Sequence, residues 1–258
     1  MDGGTITEAL RMLFRLGLRY RTVIDVGCAD GQFSLIHQPF IAGASIINID
    51  AQAIYEPSLR AIAEVLGGHY FIGAIGNREE QVELTEGAHP YWTSTRPRTD
   101  EYWQRHNQLH AGKMRVPMTT LDALAAHWGL EPPFLLKLDI QGGELGALRG
   151  ATAILAETDV VLCEADLMDF HMLHETLNSA GFGLFDLTEL CRLEDTSLGW
   201  FYPVYLHRRH DGLRAKTIWD AARNQEVIRL QQQRRERILA QNARLLEHYR
   251  ALGNARDD

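Results

Sequence analysis

Five short apolar runs set the frame of this chain: TVIDV (22–26), ASIINID (44–50), HYFIGAI (69–75), FLLKLDI (134–140) and DVVLCEA (159–165). Segments with helical spacing stand between most of them. Strands that are apolar on both faces suit the middle of a parallel sheet, because helices cover such a sheet on both sides. Strand and helix in alternation imply right-handed crossovers. An α/β domain with a mostly parallel sheet and helices on both faces is therefore expected.

The remaining elements follow from local signals. Thr5 and Glu8 form a T-x-x-E capping box, with Ile6, Leu10, Leu13 and Phe14 at helical spacing behind it. Residues 32–40, 55–66, 121–128 and 170–180 are predicted as helices, and GGELGALRGATAIL (142–155) as one more. Residues 183–188 and 200–207 are predicted as the last strands. QVEL (81–84) and MRVPM (114–118) are predicted as short strands. They flank a polar, aromatic-rich loop that carries Tyr91, Trp92, Arg96, Arg98, Tyr102 and Trp103. Past residue 216 the chain becomes rich in Gln, Arg, Glu and Leu. Ile238, Leu245, Tyr249 and Leu252 fall on one stripe there, which predicts a long helix with a coiled-coil seam.

The 258 residues suit one α/β domain of about 200 residues with an appendage. The domain is placed at 1–212, with an inserted loop at about 85–112, and a helical extension at 213–258. A formal charge of −8 argues against nucleic acid as the main partner. Cys28, Cys163 and Cys191 show no CxxC spacing, so a reducing, cytoplasmic setting is expected. No apolar segment reaches the ~18 residues of a membrane span, and the start of the chain does not read as a signal peptide.

VIDVGCADGQFS (23–34) carries the first chemical signal. A strand, a small-residue turn and a helix start bring backbone N–H groups and a dipole to one point. Dinucleotides and S-adenosylmethionine both use that geometry. The dinucleotide fingerprint needs glycines at 27, 29 and 32, and Ala29 and Gln32 break it. Small residues at 27, 29 and 31 fit the alternative. Asp25, before the turn, fits a cationic amino-acid tail better than a pyrophosphate. Asp50 ends the next run about 20 residues on, where a carboxylate accepts both ribose hydroxyls.

PPFLLKLDIQGGELGALRGATAIL (132–155) carries the second signal. Here the sequence resembles the FkbM family of S-adenosylmethionine-dependent methyltransferases. The family's KxDxxGxE strand-to-helix pattern stands as Lys137, Asp139, Gly142 and Glu144, followed by Leu148, Gly150 and Ala151. The resemblance also covers VIDVGCADGQFS, IINID, AIGN, TTLDAL and VVLCEAD, over about residues 20–210. It departs at Cys28-Ala29 and at Ala51, where other residues are common. It implies a class I methyltransferase fold, Rossmann-like, with a seven-stranded sheet whose last strand is antiparallel. It also implies methyl transfer to oxygen, with sugar and polyketide hydroxyls as familiar acceptors and S-adenosylhomocysteine as product.

On this basis the cofactor shell is expected at Asp25, Gly27, Cys28, Ala29, Gly31, Phe33, Ser34, Asp50, Ala51, Ala74 and Ile75. Asp139, Glu164, Lys137 and Glu144 are the catalytic candidates, with Asp139 first in line for the acceptor hydroxyl. Lys137 alternates with leucines, so its amine should reach a carboxylate, Glu144 being one candidate. A structural ion pair and a catalytic role both fit it. His171 and His174, one helical turn apart, are further base candidates. Asp139, Glu144 and Glu164 could recruit magnesium or calcium, but no dedicated ligand cluster is visible and no metal is expected. The aromatic loop is read as an acceptor lid for a sugar or glycan. The tail is read as a contact with a second copy. Two other readings compete: a module that binds S-adenosylmethionine without turnover, and an NAD-dependent oxidoreductase.

Overall fold

The computed structural model describes residues 4–87, 110–192, 197–213 and 221–254. The chain divides into two compact units, Met1–Asp211 and Gly212–Asp258.

The first unit opens with α1 (Ile6–Arg15), whose capping box forms as the spacing predicts: Glu8 N–H donates to Thr5 Oγ1, and Thr5 N–H to the Glu8 carboxylate. Then come β1 (Thr22–Val26), α2 (Gln32–Ile36), α3 (Gln38–Ile41), β2 (Ser45–Asp50), α4 (Glu56–Leu66), β3 (Gly68–Ile72) and β4 (Ala74–Ile75). A hairpin of β5 (Glu80–Gly87) and β6 (His110–Thr119) follows, then α5 (Leu121–Trp128) and β7 (Phe134–Leu138). The order closes with α6 (Glu144–Arg149), α7 (Thr152–Glu157), β8 (Thr158–Cys163), β9 (Ala165–Asp166), α8 (Phe170–Ser179), β10 (Phe182–Arg192) and β11 (Leu198–His207). The second unit contains α9 (Ala221–Asn254). Its described side chains, between 225 and 244, are exposed.

The main sheet runs β10-β11-β8-β7-β1-β2-β3, with short β9 also paired to β11. β11 is antiparallel to both β8 and β10, and the pairs among β8, β7, β1, β2 and β3 are parallel. The seven strands on this path and the antiparallel last strand match what the resemblance implies. Strand order reverses at β1, whose neighbours are β2 and β7, and ligands in such sheets bind beyond the carboxyl ends at that point.

Side-chain alternation gives the sheet two cores. Ile24, Val26, Leu136, Leu138 and Val161 face one side, together with Leu121, Ala147, Leu155 and Leu173 from the helices. Val23, Ile46, Leu135, Val160 and Leu162 face the other, with Leu10 and Leu13 of α1. Burial on both faces is why these strands read as unbroken apolar runs.

Four predicted elements are split, DVVLCEA among them: β8 ends at Cys163, and Ala165 pairs with β11 as part of β9. HYFIGAI divides at Gly73: β3 ends the main sheet, while Ala74 and Ile75 pair with β6 in a separate three-stranded sheet, β4-β6-β5. The 32–40 helix divides at His37, and Pro39 stands in the first turn of the new helix, where its missing N–H costs nothing. The 142–155 helix divides at Gly150-Ala151.

Packing explains the last break. A Cβ at Gly150 would lie 2.1 Å from the Gly76 carbonyl oxygen and 3.1 Å from Thr120 Cβ. Asp122 then caps α7, accepting from Ala153 N–H at 3.0 Å and Ile154 N–H at 2.9 Å. Three separate stretches, AIGN, TTLDAL and RGATA, thus converge on one backbone contact. Gly150→Ala should destabilise the first unit by about 1–3 kcal/mol through overpacking. The melting temperature should fall by several degrees, at roughly 2–4 °C per kcal/mol. Gly146→Ala, with nothing within 4 Å of the new methyl, should hold or raise it in the same calorimetric scan.

Candidate active site

The turn after β1 is shaped by close approach. Gly27 has φ +73°, and a Cβ there would sit 1.8 Å from the Asp139 carbonyl oxygen. Gly31, at φ +81°, faces Ile62 of α4 at 2.4 Å in the same sense. Ala29 holds φ +48° as a non-glycine residue, a conformation that something must support. Asp50 supplies that support, since its Oδ2 accepts the Ala29 N–H at 2.9 Å while Oδ1 accepts Gln52 N–H at 2.9 Å.

The N–H groups of this turn are largely committed inside the protein. Gly27 and Cys28 N–H donate to Ile49 O, Gly31 N–H donates to Cys28 O, and Ala29 N–H to Asp50. The expected ring of free donors is therefore missing from 27, 28, 29 and 31, and α2 has five residues. What the turn offers is shape and a carboxylate, which a pyrophosphate would not want.

Beneath it lies a buried charge pair. Register places Asp25 of β1 beside Lys137 of β7. Lys137 Nζ donates to Asp25 Oδ1 at 2.9 Å and to Gly27 O at 3.2 Å, and it lies 3.6 Å from Asp139 Oδ2. Asp25 is fully buried and Lys137 is 6% exposed. Burial alone would lower the lysine, but Asp25 and Asp139 overcome it and hold the ammonium above its usual range. The partner of Lys137 is thus Asp25, not Glu144. Asp25 stands inside its strand rather than at the end, and its Oδ2 is buried without a hydrogen-bond partner.

Glu144 has a different task. Its Oε1 accepts Ile140 N–H at 2.9 Å and Gly142 N–H at 3.1 Å, closing the turn where Gln141 (φ +55°) and Gly142 (φ +101°) are left-handed. That turn presents Asp139. The KxDxxGxE pattern is therefore an ion-pair lysine, a displayed aspartate, a left-handed glycine and a glutamate that locks the bend.

Asp139 and Glu164 follow β7 and β8 directly and extend the ladders, with Asp139 N–H donating to Val26 O and Glu164 N–H to Leu138 O. Gln141 Nε2 bridges them, at 2.8 Å to Glu164 Oε2 and 3.3 Å to Asp139 Oδ1. Tyr202 of β11 donates to Asp139 Oδ2 at 2.6 Å. Burial, followed by the charges of Asp139 and Glu144, pushes the Glu164 carboxyl well above its ordinary value of 4.5.

Other expected residues are placed less directly. Ser34 is fully buried and its hydroxyl donates to Asn48 at 2.9 Å, so it ties α2 to β2. Cys28 is 5% exposed, and burial pushes its thiol well up. Phe33 packs beside His37 and lies 5.7 Å from Lys137 Nζ. Ala51 and Ala74 share a small cluster with Leu84 and Val116, while Ile75 joins the main core. His174 meets Tyr205 Oη at 3.3 Å and His171 is exposed; neither is bonded to the acid pair. The aromatic loop (Tyr91 to Trp103) lies outside the described residues. No group of three or more metal-capable side chains occurs among those described. A groove of about 400 Å³ lined by Arg60, His69, Tyr70 and Trp128 opens at the start of β3, outside this cluster.

The pH dependence of stability follows from Glu164. A carboxyl whose folded pKa exceeds its unfolded value favours folding while protonated. That contribution is full below about pH 4.5 and is lost as pH rises toward the folded value. Glu164→Gln, which keeps the shape without the ionisation, should raise the melting temperature at pH 7–8. The gain should vanish near pH 4 in a pH series of thermal melts.

A family described as the methyltransferase FkbM domain matches residues 25–184. No curated protein matches the chain. Among solved structures, the precorrin-6y C5,15-methyltransferase of Geobacter metallireducens GS-15 is similar at 12% identity and TM-score 0.39, over 77% of this chain and 85% of that one. An rRNA methylase from Streptococcus thermophilus is similar at 12% identity and TM-score 0.42, over 80% and 98%. A ribosomal protein L11 methylase from Lactobacillus delbrueckii subsp. bulgaricus is similar at 12% identity and TM-score 0.37, over 78% and 77%. Likenesses this distant do not bear on the acceptor. The family match spans more than half of the chain and contains both turns just described, so this chain belongs to the FkbM family of class I methyltransferases, with S-adenosylmethionine as its cofactor.

Proposed function

We propose that the chain is an O-methyltransferase that methylates a hydroxyl of a sugar, a glycan or a glycosylated or polyketide metabolite. The observation that carries this reading is the acid pair Asp139 and Glu164 at the carboxyl ends of β7 and β8, next to the turn of β1. Carboxylates orient neutral hydroxyls by hydrogen bonding, and they repel phosphate.

The residues present fit the cofactor. The orphaned Asp25 Oδ2 lies under the turn and suits an amino-acid ammonium. Asp50, 9% exposed at the rim, has one N–H on each oxygen and keeps lone pairs for ribose hydroxyls. Ala51, half-buried directly after Asp50, offers apolar surface to a base. When bound, S-adenosylmethionine supplies a methyl group on a sulfonium. Asp139 then has the task of aligning the acceptor's O–H and taking its proton late in the displacement. Burial and the neighbouring acids favour the protonated form of Glu164, which limits the charge on the pair.

Asp50→Ala should weaken S-adenosylmethionine about a hundredfold by calorimetry, from loss of hydrogen bonds to a charged group. Asp139→Asn should leave that affinity within about threefold and lower kcat by about 10²–10⁴, the range for a lost general base. Mass analysis for a 14-dalton gain on candidate sugars identifies the product. Stabilisation by NAD in place of S-adenosylmethionine, or methylation of RNA but not of polyols, would overturn the assignment.

Gly212–Asp258 is read as an extension through which two copies associate along α9. Sedimentation of the full chain at micromolar concentration should show a dimer, and a monomer there would exclude this.

A further inference from the structure

Tyr202 belongs to none of the sequence motifs. It lies 63 residues beyond Asp139 and reaches it because β11 folds back beside β8. Its phenol donates to Asp139 Oδ2, the same oxygen that Lys137 Nζ approaches at 3.6 Å. The other oxygen, Oδ1, receives a 3.3 Å contact from Gln141, whose shorter bond goes to Glu164.

We propose that Tyr202 is a positioning residue of the methyl transfer: with Lys137 it fixes Asp139 Oδ2, and thereby turns Oδ1 toward the acceptor hydroxyl. This rests on the methyltransferase reading above and deepens it.

The groups facing Asp139 come from five elements. They are Lys137 on β7, Asp25 on β1, Glu144 on α6, Glu164 after β8 and Tyr202 on β11. Burial, followed by Asp139 and Glu164, raises the phenol above its usual range, so Tyr202 stays a donor and is never the base. The Tyr202 hydrogen bond and the nearby Lys137 ammonium together hold the Asp139 carboxyl in its plane. In the transfer, the acceptor oxygen forms a bond to the methyl carbon. The carbon–sulfur pair leaves with sulfur, and the hydroxyl proton goes to Oδ1 and on to solvent.

Tyr202→Phe removes the hydroxyl and keeps the ring. Removing a donor from an ionised group raises the apparent pKa of the Asp139/Glu164 pair. The acidic limb of the pH–rate profile should therefore move up by about one pH unit. kcat should fall about tenfold at pH 7, with S-adenosylmethionine affinity unchanged. Carboxyl ¹³C NMR of the labelled pair should show the same upward move without any acceptor. A limb and an NMR titration both matching the parent protein would overturn the proposal, since a purely structural tyrosine moves neither.

If the phenylalanine variant does not fold, 3-fluorotyrosine at position 202 decides the matter. Its stronger donor should move the titration downward, and no move overturns the proposal. Absence of methylation with every acceptor would defeat the functional reading alone, because the NMR titration judges Tyr202 independently.

Discussion

The ammonium of Lys137 against the carboxylate of Asp25 is the contact on which the rest of the site depends. Both charges lie inside adjacent central strands, in register and nearly without solvent. Neither could stand there alone, and breaking such a pair by removing one partner costs about 3–5 kcal/mol. The amine also holds Gly27 O and approaches Asp139. One side chain therefore ties the turn after β1 to the turn after β7. Gly27 completes the join, because only a missing Cβ lets the two backbones meet. The two turns are thereby joined into one unit.

Around that unit each turn is held by a carboxylate. Asp50 supports the left-handed Ala29, Glu144 supports the bend at Gln141 and Gly142, and Asp122 caps α7. Each takes backbone N–H groups that would otherwise lie unpaired in the interior. Asp139 and Glu164 differ in kind. They bond to side chains, Gln141 and Tyr202, and burial drives Glu164 toward its protonated form. The contrast separates acids that bond to the backbone from acids that bond to side chains, although all of them read alike as isolated letters.

Much of this was legible before the fold. Apolar runs marked the central strands because those strands are covered on both faces. The capping box at Thr5 marked the start of α1 because the interaction is local. The strand ends with Asp50, Asp139 and Glu164 were legible for the same reason. The splits were not. Gly73, His37 and Gly150 interrupt patterns that continue on either side, and the causes lie in partners distant in the chain: β6 for Ala74 and the Gly76 carbonyl for Gly150. Glu144 was a reasonable partner for Lys137 by proximity along the chain. Strand register gave Lys137 to Asp25, 112 residues away. Tyr202 carried no signal, since an aromatic residue in a terminal strand looks like ordinary core.

The amino-acid sequence by itself determined the alternation of elements, the small-residue turn and the acids at the strand ends, because hydrophobic period and turn chemistry act over a few residues. Tertiary structure alone decided which acid neutralises the buried lysine, which glycines yield to a neighbouring backbone, and which phenol grips Asp139. Those choices come from strand register and close packing, which bring together residues whose separation along the chain says nothing of their distance in space.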